Sequence, residues 1–167
     1  MLLMALMWEA SPDAASGVRE GRLRTTRPFR GVKLMQKITT FLMFTGKAEE
    51  AMNFYTSLFP QSRVLRITRY GPNEAGAEGT VMRATFSLNG QEFMCIDSNA
   101  VHAFTFTPAM SLYVNCETED EIARLFTQLS QGGQVLMPLE RYPFSEKFAW
   151  VADKYGVSWQ LNLAKHP

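Results

Sequence analysis

The chain is poor in the residues on which metal and redox chemistry draw: among 167 residues there are two cysteines, Cys95 and Cys116, and two histidines, His102 and His166. Two thiols make neither a disulfide framework nor a four-ligand metal cage, so the expected location is cytoplasmic. Charge of one sign is lacking as well. Seventeen basic against 16 acidic residues leave a net +1, too weak a field to gather nucleic acid or an anionic membrane surface. No apolar run reaches the ~20 residues of a spanning helix. Met1 to Trp8, the one stretch to consider, has no basic flank and meets Glu9 early, so it does not read as an export signal. What remains is 46% hydrophobic and 12% aromatic, enough for the core of one compact domain.

Residues 1–34 differ from the rest. Ser, Gly, Ala, Asp and Pro give way to Arg19, Arg22, Arg24, Arg27, Arg30 and Lys33 without an apolar period. The expectation is a disordered, solvated extension ahead of a domain over 35–167, with Met35 as an alternative start; a nucleic-acid arm or a targeting peptide is the competing reading.

An internal repeat organises the domain. Ile38 to Phe44 reads as a strand, Thr45-Gly46 breaks it, and Ala51, Phe54, Tyr55 and Leu58 recur at helical spacing. Pro60 closes this helix, Arg63 to Tyr70 alternates, Gly71-Pro72-Asn73 turns the chain, and Val81–Leu88 and Glu92–Asp97 flank an Asn89-Gly90 hairpin. The same stripe then returns as Ile122, Leu125, Phe126 and Leu129, behind a Thr118 N-cap with Glu121 three residues on and ahead of Gly132-Gly133. A second register lays Asn89-Gly90 on Tyr155-Gly156 and Phe93 on Trp159. The pattern predicts an α+β fold of two βαβββ modules, 36–100 and 108–165, joined by a linker at 101–107. One helix per module covers one sheet face and leaves the other to form a cup.

Three segments, FLMFTGKAEEAMNFYTSLF at Phe41–Phe59, FTFTPAMSLYVNCETEDEI from Phe104, and KFAWVADKYGVSWQLNL from Lys147, resemble, in this order, the PhnB-like (3-demethylubiquinone-9 3-methyltransferase-like) branch of the glyoxalase/bleomycin-resistance, or vicinal oxygen chelate, superfamily. The resemblance implies a cup-shaped mixed sheet with helices on its outer face, a homodimer, and a small-molecule ligand inside the cup. In metal-binding relatives, His, Glu or Gln side chains on the first and last strands of each module point inward. Here those positions are Thr40, Met94, Ser111 and Gln160, and only Gln160 has a ligand-type head, so no metal or other cofactor is expected.

Other candidates come from the residues themselves. Alternation in Val81–Leu88 puts Arg83 on the polar face, where it can fork onto a substrate oxygen or merely meet solvent. His102 in the linker can fold over the cup mouth as ligand or base, or lie exposed without a role. The stretch Glu140–Lys147 (ERYPFSEK) reads as a loop with the composition of a lid, with Tyr142 and Phe144 touching a ligand, or of a dimer contact. Cys116 before the second helix is a weak nucleophile candidate, and Phe93, Trp159 and Cys95 are assigned to the core. Two functions compete: an enzyme using His102 and Arg83 with little or no dependence on metal, and a non-catalytic, sequestering homodimer. Methyl transfer is not expected, since no strand leads into a Gly-rich nucleotide loop.

Overall fold

The computed structural model describes residues 36–165; the expected extension at 1–34 and His166 lie outside them. The chain runs β1 (Thr40–Phe44), α1 (Ala48–Leu58), β2 (Arg63–Arg69), β3 (Val81–Leu88) and β4 (Gln91–Asp97), then β5 (Leu112–Cys116), α2 (Glu119–Ser130), β6 (Gln134–Tyr142), β7 (Ser145–Ala152) and β8 (Ser158–Leu163). This is the βαβββ order twice. Two four-stranded mixed sheets result, ordered β1-β4-β3-β2 and β5-β8-β7-β6, each with one parallel outer pair, β1 with β4 and β5 with β8.

Local chemistry accounts for the boundaries. Phe59, forced out of the helical region by Pro60, is extended at φ −114°, ψ 141°, and α1 stops at Leu58. Asn89 and Gly90 both take positive φ, 46° and 88°, as the tight β3–β4 turn demands. The Thr118 hydroxyl accepts from the Glu121 amide at 3.1 Å, while the Glu121 carboxylate reaches back to the Glu117 amide at 2.8 Å. That is a capping box displaced by one residue on its return arm. After α2, Gly132 turns at φ +73°, and Gly133 has no room for a side chain because a Cβ would meet the Ala152 carbonyl at 2.2 Å.

Both helices bury one stripe. Ala51, Tyr55 and Leu58 of α1 and Ile122, Leu125 and Leu129 of α2 join Phe86, Phe93, Cys95, Trp159 and Leu161 in one core, which includes the three residues assigned to it from alternation. Among the described residues the opposite face of each sheet carries no helix. The segment 140–147, expected as a loop, is instead a hairpin: Tyr142 pairs with Ser145 across Pro143-Phe144. It is strand because its side chains pack. Tyr142 stacks on Phe144, both rings stand edge-on to Phe148, and the buried Ser145 hydroxyl bonds to Asn162 and to the Leu163 carbonyl.

α1 has no side-chain cap of its own. The buried Asp97 at the end of β4 supplies one, accepting from the Ala48 amide at 2.9 Å through one oxygen and from the Val81 amide at 3.0 Å through the other. Asp97→Ala orphans both amides, and a loss of about 2–4 kcal/mol is expected in urea unfolding, with Asp97→Asn intermediate.

Candidate functional site

A buried carboxylate joins the two modules. Asp153, in the turn between β7 and β8, accepts from the Tyr155 and Val157 amides through one oxygen (2.8 and 3.0 Å). Its other oxygen accepts from the α1 hydroxyl of Tyr55 (2.8 Å) and the indole of Trp159 (2.9 Å). Burial raises the Asp153 carboxyl above its ordinary value while the four donors pull it down; burial and the Asp153 charge also raise the Tyr55 hydroxyl. With the folded value raised, the native state holds this proton more tightly than the unfolded chain. The stability Asp153 contributes is therefore full below its ordinary value near 3.8 and declines as pH rises through the folded value. Around this group Tyr55 lies against Trp159, Phe59 stacks on Trp159, and Arg124 of α2 donates to the last-turn carbonyl of Leu58 at 2.9 Å, a cation at a helix C-terminus.

The clamp holds the free edge strand of module one near that of module two, and a cleft of about 730 Å³ lies along them. Phe41 and Met43 of β1, Phe104 and Phe106 of the linker, and Met110 give it apolar walls; Lys47, Glu50, His102, Lys154 and Tyr155 bring polar groups to it. Glu50 accepts from Lys47 (2.9 Å), Lys154 (3.0 Å) and the Tyr155 hydroxyl (2.9 Å), and these donors lower its carboxyl to about 2. Lys154 also lies over the rings of Phe54 and Tyr155. The rim is thus two cations sharing one carboxylate.

The residues singled out from sequence do not converge. His102 and Ser111 line the cleft. The His102 ring stacks on Phe104, and its Nε2 is 2.7 Å from the Ser98 hydroxyl; the Ser111 hydroxyl bonds Ser158, which also takes the Trp150 indole proton. Met94 and Arg83 lie on the helix-free face of the module-one sheet, and Gln160 on that of module two between Tyr113 and Trp150. Thr40 departs from the expected inward set: it pairs with Phe93 and so shares the helix side with Phe86. Tyr142 and Phe144 sit at the β6–β7 hairpin. Lys47, Glu50, Lys154 and Tyr155 were not singled out as site residues because they meet only through the fold.

Neither sheet face fits a divalent cation. The four positions expected to face a metal are not together: Thr40 lies on the helix side, Ser111 lines the cleft, and Met94 and Gln160 stand on different sheets; among the described residues no three His, Cys, Asp or Glu gather in a metal-binding group. The thiols are equally unsuited to attack. Burial pushes Cys95 up to about 12, and burial with the Glu121 charge does the same to Cys116, the reverse of the activation that a helix N-terminus offers.

Two outcomes follow. In a carboxyl-detected NMR titration Glu50 titrates near pH 2 and moves back toward 4.5 in Lys47→Gln/Lys154→Gln; because its folded value is depressed, the stability it lends is present above the ordinary value and lost as pH falls toward 2. At pH 7.5 both native thiols react with a disulfide reagent at least about a hundredfold more slowly than in denaturant, read as absorbance against time.

Comparison with known proteins is consistent with this architecture. The family described as 3-demethylubiquinone-9 3-methyltransferase matches residues 36–162. The chain is 71% identical to the PhnB protein of Bacillus cereus, whose structure superposes with a TM-score of 0.76 over 77% of this chain and 100% of that one. Protein PA1353 of Pseudomonas aeruginosa, at 24% identity, shares the fold with a TM-score of 0.69 over 78% and 99%. A glyoxylase/bleomycin resistance protein/dioxygenase domain from Frankia sp. EAN1pec, at 14%, shares it at 0.56 over 79% and 94%. Protein YjdN of Escherichia coli K12 is 20% identical over 142 residues, 77% of this chain and 95% of that protein. The duplicated βαβββ fold and the family match across both modules agree: the chain belongs to the 3-demethylubiquinone-9 3-methyltransferase family, with the PhnB protein among its relatives, and has the fold of a glyoxalase/bleomycin-resistance domain.

Proposed function

We propose that the protein binds a small organic molecule in the cleft along β1, the linker and the start of β5, and that binding, not turnover, is its role. The observation that carries this reading is the cleft itself: about 730 Å³ falls in the range of small-molecule sites, and apolar walls with a few charged groups are their usual composition. The enzymatic alternative needs His102 with Arg83 or Gln160 around one substrate, and of these His102 alone lines the cleft. Methyl transfer has still less support. The β1–α1 connection is Thr45-Gly46-Lys47 and the β5–α2 connection Glu117-Thr118, neither of them a Gly-rich cradle for a nucleotide-bearing methyl donor.

We extend the reading to a homodimer. Phe41, Phe104 and Met110 stay 50–65% exposed along the cleft, and a second copy over these edges would cover apolar surface that a monomer leaves in water.

Two measurements test the proposal. The fluorescent probe 8-anilinonaphthalene-1-sulfonate should bind native protein saturably, on the order of tenfold more weakly in Met110→Trp, which fills the cleft, and with nearly unchanged affinity in His102→Gln. Non-saturable binding, or equal affinity in Met110→Trp, contradicts the site. Sedimentation equilibrium should give twice the chain mass, and a monomer at tens of micromolar contradicts the dimer.

A further inference from the structure

The helix-free face of the module-one sheet holds three arginines whose placement depends on a strand irregularity. Arg63 pairs with Ser87, Arg66 with Thr85 and Thr68 with Arg83. Residues 63 and 66, three apart, would point to opposite faces of a regular strand. The register shift between Val64 and Arg66 inserts the extra residue of a β-bulge, so that both share a face with Arg83. Arg66 and Arg83 stand on one diagonal of a cross-strand square whose other corners are the hydroxyls of Thr68 and Thr85. Diagonal neighbours are ~7 Å apart at Cβ, within reach of two long side chains closing on one group.

These charges are uncompensated. All three arginines are exposed, and among the described residues none makes an ion pair; the five pairs present use Lys47, Arg69, Arg141, Lys147 and Lys154. The face has one carboxylate, Glu92, which pairs with Ser87 at the level of Arg63, to one side of the Arg66–Arg83 square. Like charges held together without a counterion cost stability, and planar guanidiniums beside hydroxyls form a fork for carboxylate or phosphate oxygens. From the square a single row crosses the whole sheet: Arg66, Thr85, Met94, Phe41, with Ile96 and Met43 paired alongside. A polar, cationic end therefore continues into an apolar strip. Three strand spacings amount to about 14 Å, and the arginine side chain takes up several of these.

We infer that this face binds a small amphipathic oxyanion, its carboxylate or phosphate head on Arg66 and Arg83 and its apolar body, about 8–10 Å long, on Met94, Phe41 and Ile96. Arg63 adds long-range attraction from the next pair along the strands. The inference rests on the module-one sheet and does not require the cleft to be occupied. Phe41, at the far end of this strip, also lines the cleft.

The test uses the full chain and titration calorimetry with octanoate and octyl phosphate, against octan-1-ol and inorganic phosphate as probes lacking head or body. The wild type should bind at least one amphipathic anion tenfold or more tightly than either control. Arg66→Gln/Arg83→Gln should lose that preference at least tenfold with a melting temperature no lower than that of the wild type, and Arg141→Gln should match the wild type. Binding of octanoate alone, or of octyl phosphate alone, names the head group. The inference is overturned if octanol binds as well as the anions, if the double variant keeps its affinity, or if no probe binds. It is likewise overturned if the double variant dissociates a dimer and leaves anion affinity intact, which would make the arginines contacts to a second copy. Failure of the fluorescent probe at the cleft would leave the octanoate result standing.

Discussion

One carboxylate sits where the two modules must agree. Strand pairing stays within each module, so no sheet hydrogen bonds hold one half against the other. The Asp153 side chain does so by accepting hydrogen bonds from the Tyr55 hydroxyl on α1 of the first module and the Trp159 indole on β8 of the second, while its other oxygen fixes the turn in which it stands. Burial makes this a demanding arrangement: the oxygen shared by Tyr55 and Trp159 has both its donors only if both modules are in place, and an unmatched donor there costs more than the pair it belonged to. The aromatic contacts of Tyr55, Phe59 and Trp159 surround the same point. The cleft is a consequence of it, because it lies along two edges that the clamp sets near one another.

Chemistry on this scaffold is divided between surfaces. The cleft combines apolar walls with a rim where one glutamate pairs with two lysines. The helix-free face of the first sheet carries three guanidiniums that make no ion pair among the described residues, and that of the second carries Gln160 between Trp150 and Tyr113. Buried, raised thiols and a histidine paired only with a serine offer little nucleophilic or general-base chemistry. The binding role we propose rests on the shape and charge of these surfaces.

Much of this was legible from spacing. The duplicated stripe, the β3 boundaries, the Asn89-Gly90 turn, the Thr118 cap and the core placement of Phe93 and Trp159 each follow from a local rule that tertiary context did not override. Thr40 was misplaced for a physical reason. Phe41 to Phe44 are all apolar, so alternation gives no phase, and only the parallel register with β4 assigns faces. Arg66 was invisible because a bulge reverses parity within β2, and nothing in RVLRITR announces one. The 140–147 hairpin was hidden by charged residues that favour a loop, while the bonds of the Ser145 hydroxyl to Asn162 and Leu163, which hold it against β8, appear only in the folded sheet. Asp153 belonged to a recognised motif, but its role appears only when Tyr55 arrives from nearly a hundred residues away.

The most direct test of this account is equilibrium urea unfolding of Asp153→Asn, followed by Trp fluorescence and far-ultraviolet circular dichroism together. An amide can accept through one atom only, so two of the four donors lose their partner. The account predicts a loss on the order of 3 kcal/mol or more, with the two signals separating as the modules lose their common transition. An unchanged midpoint with coincident signals would contradict it.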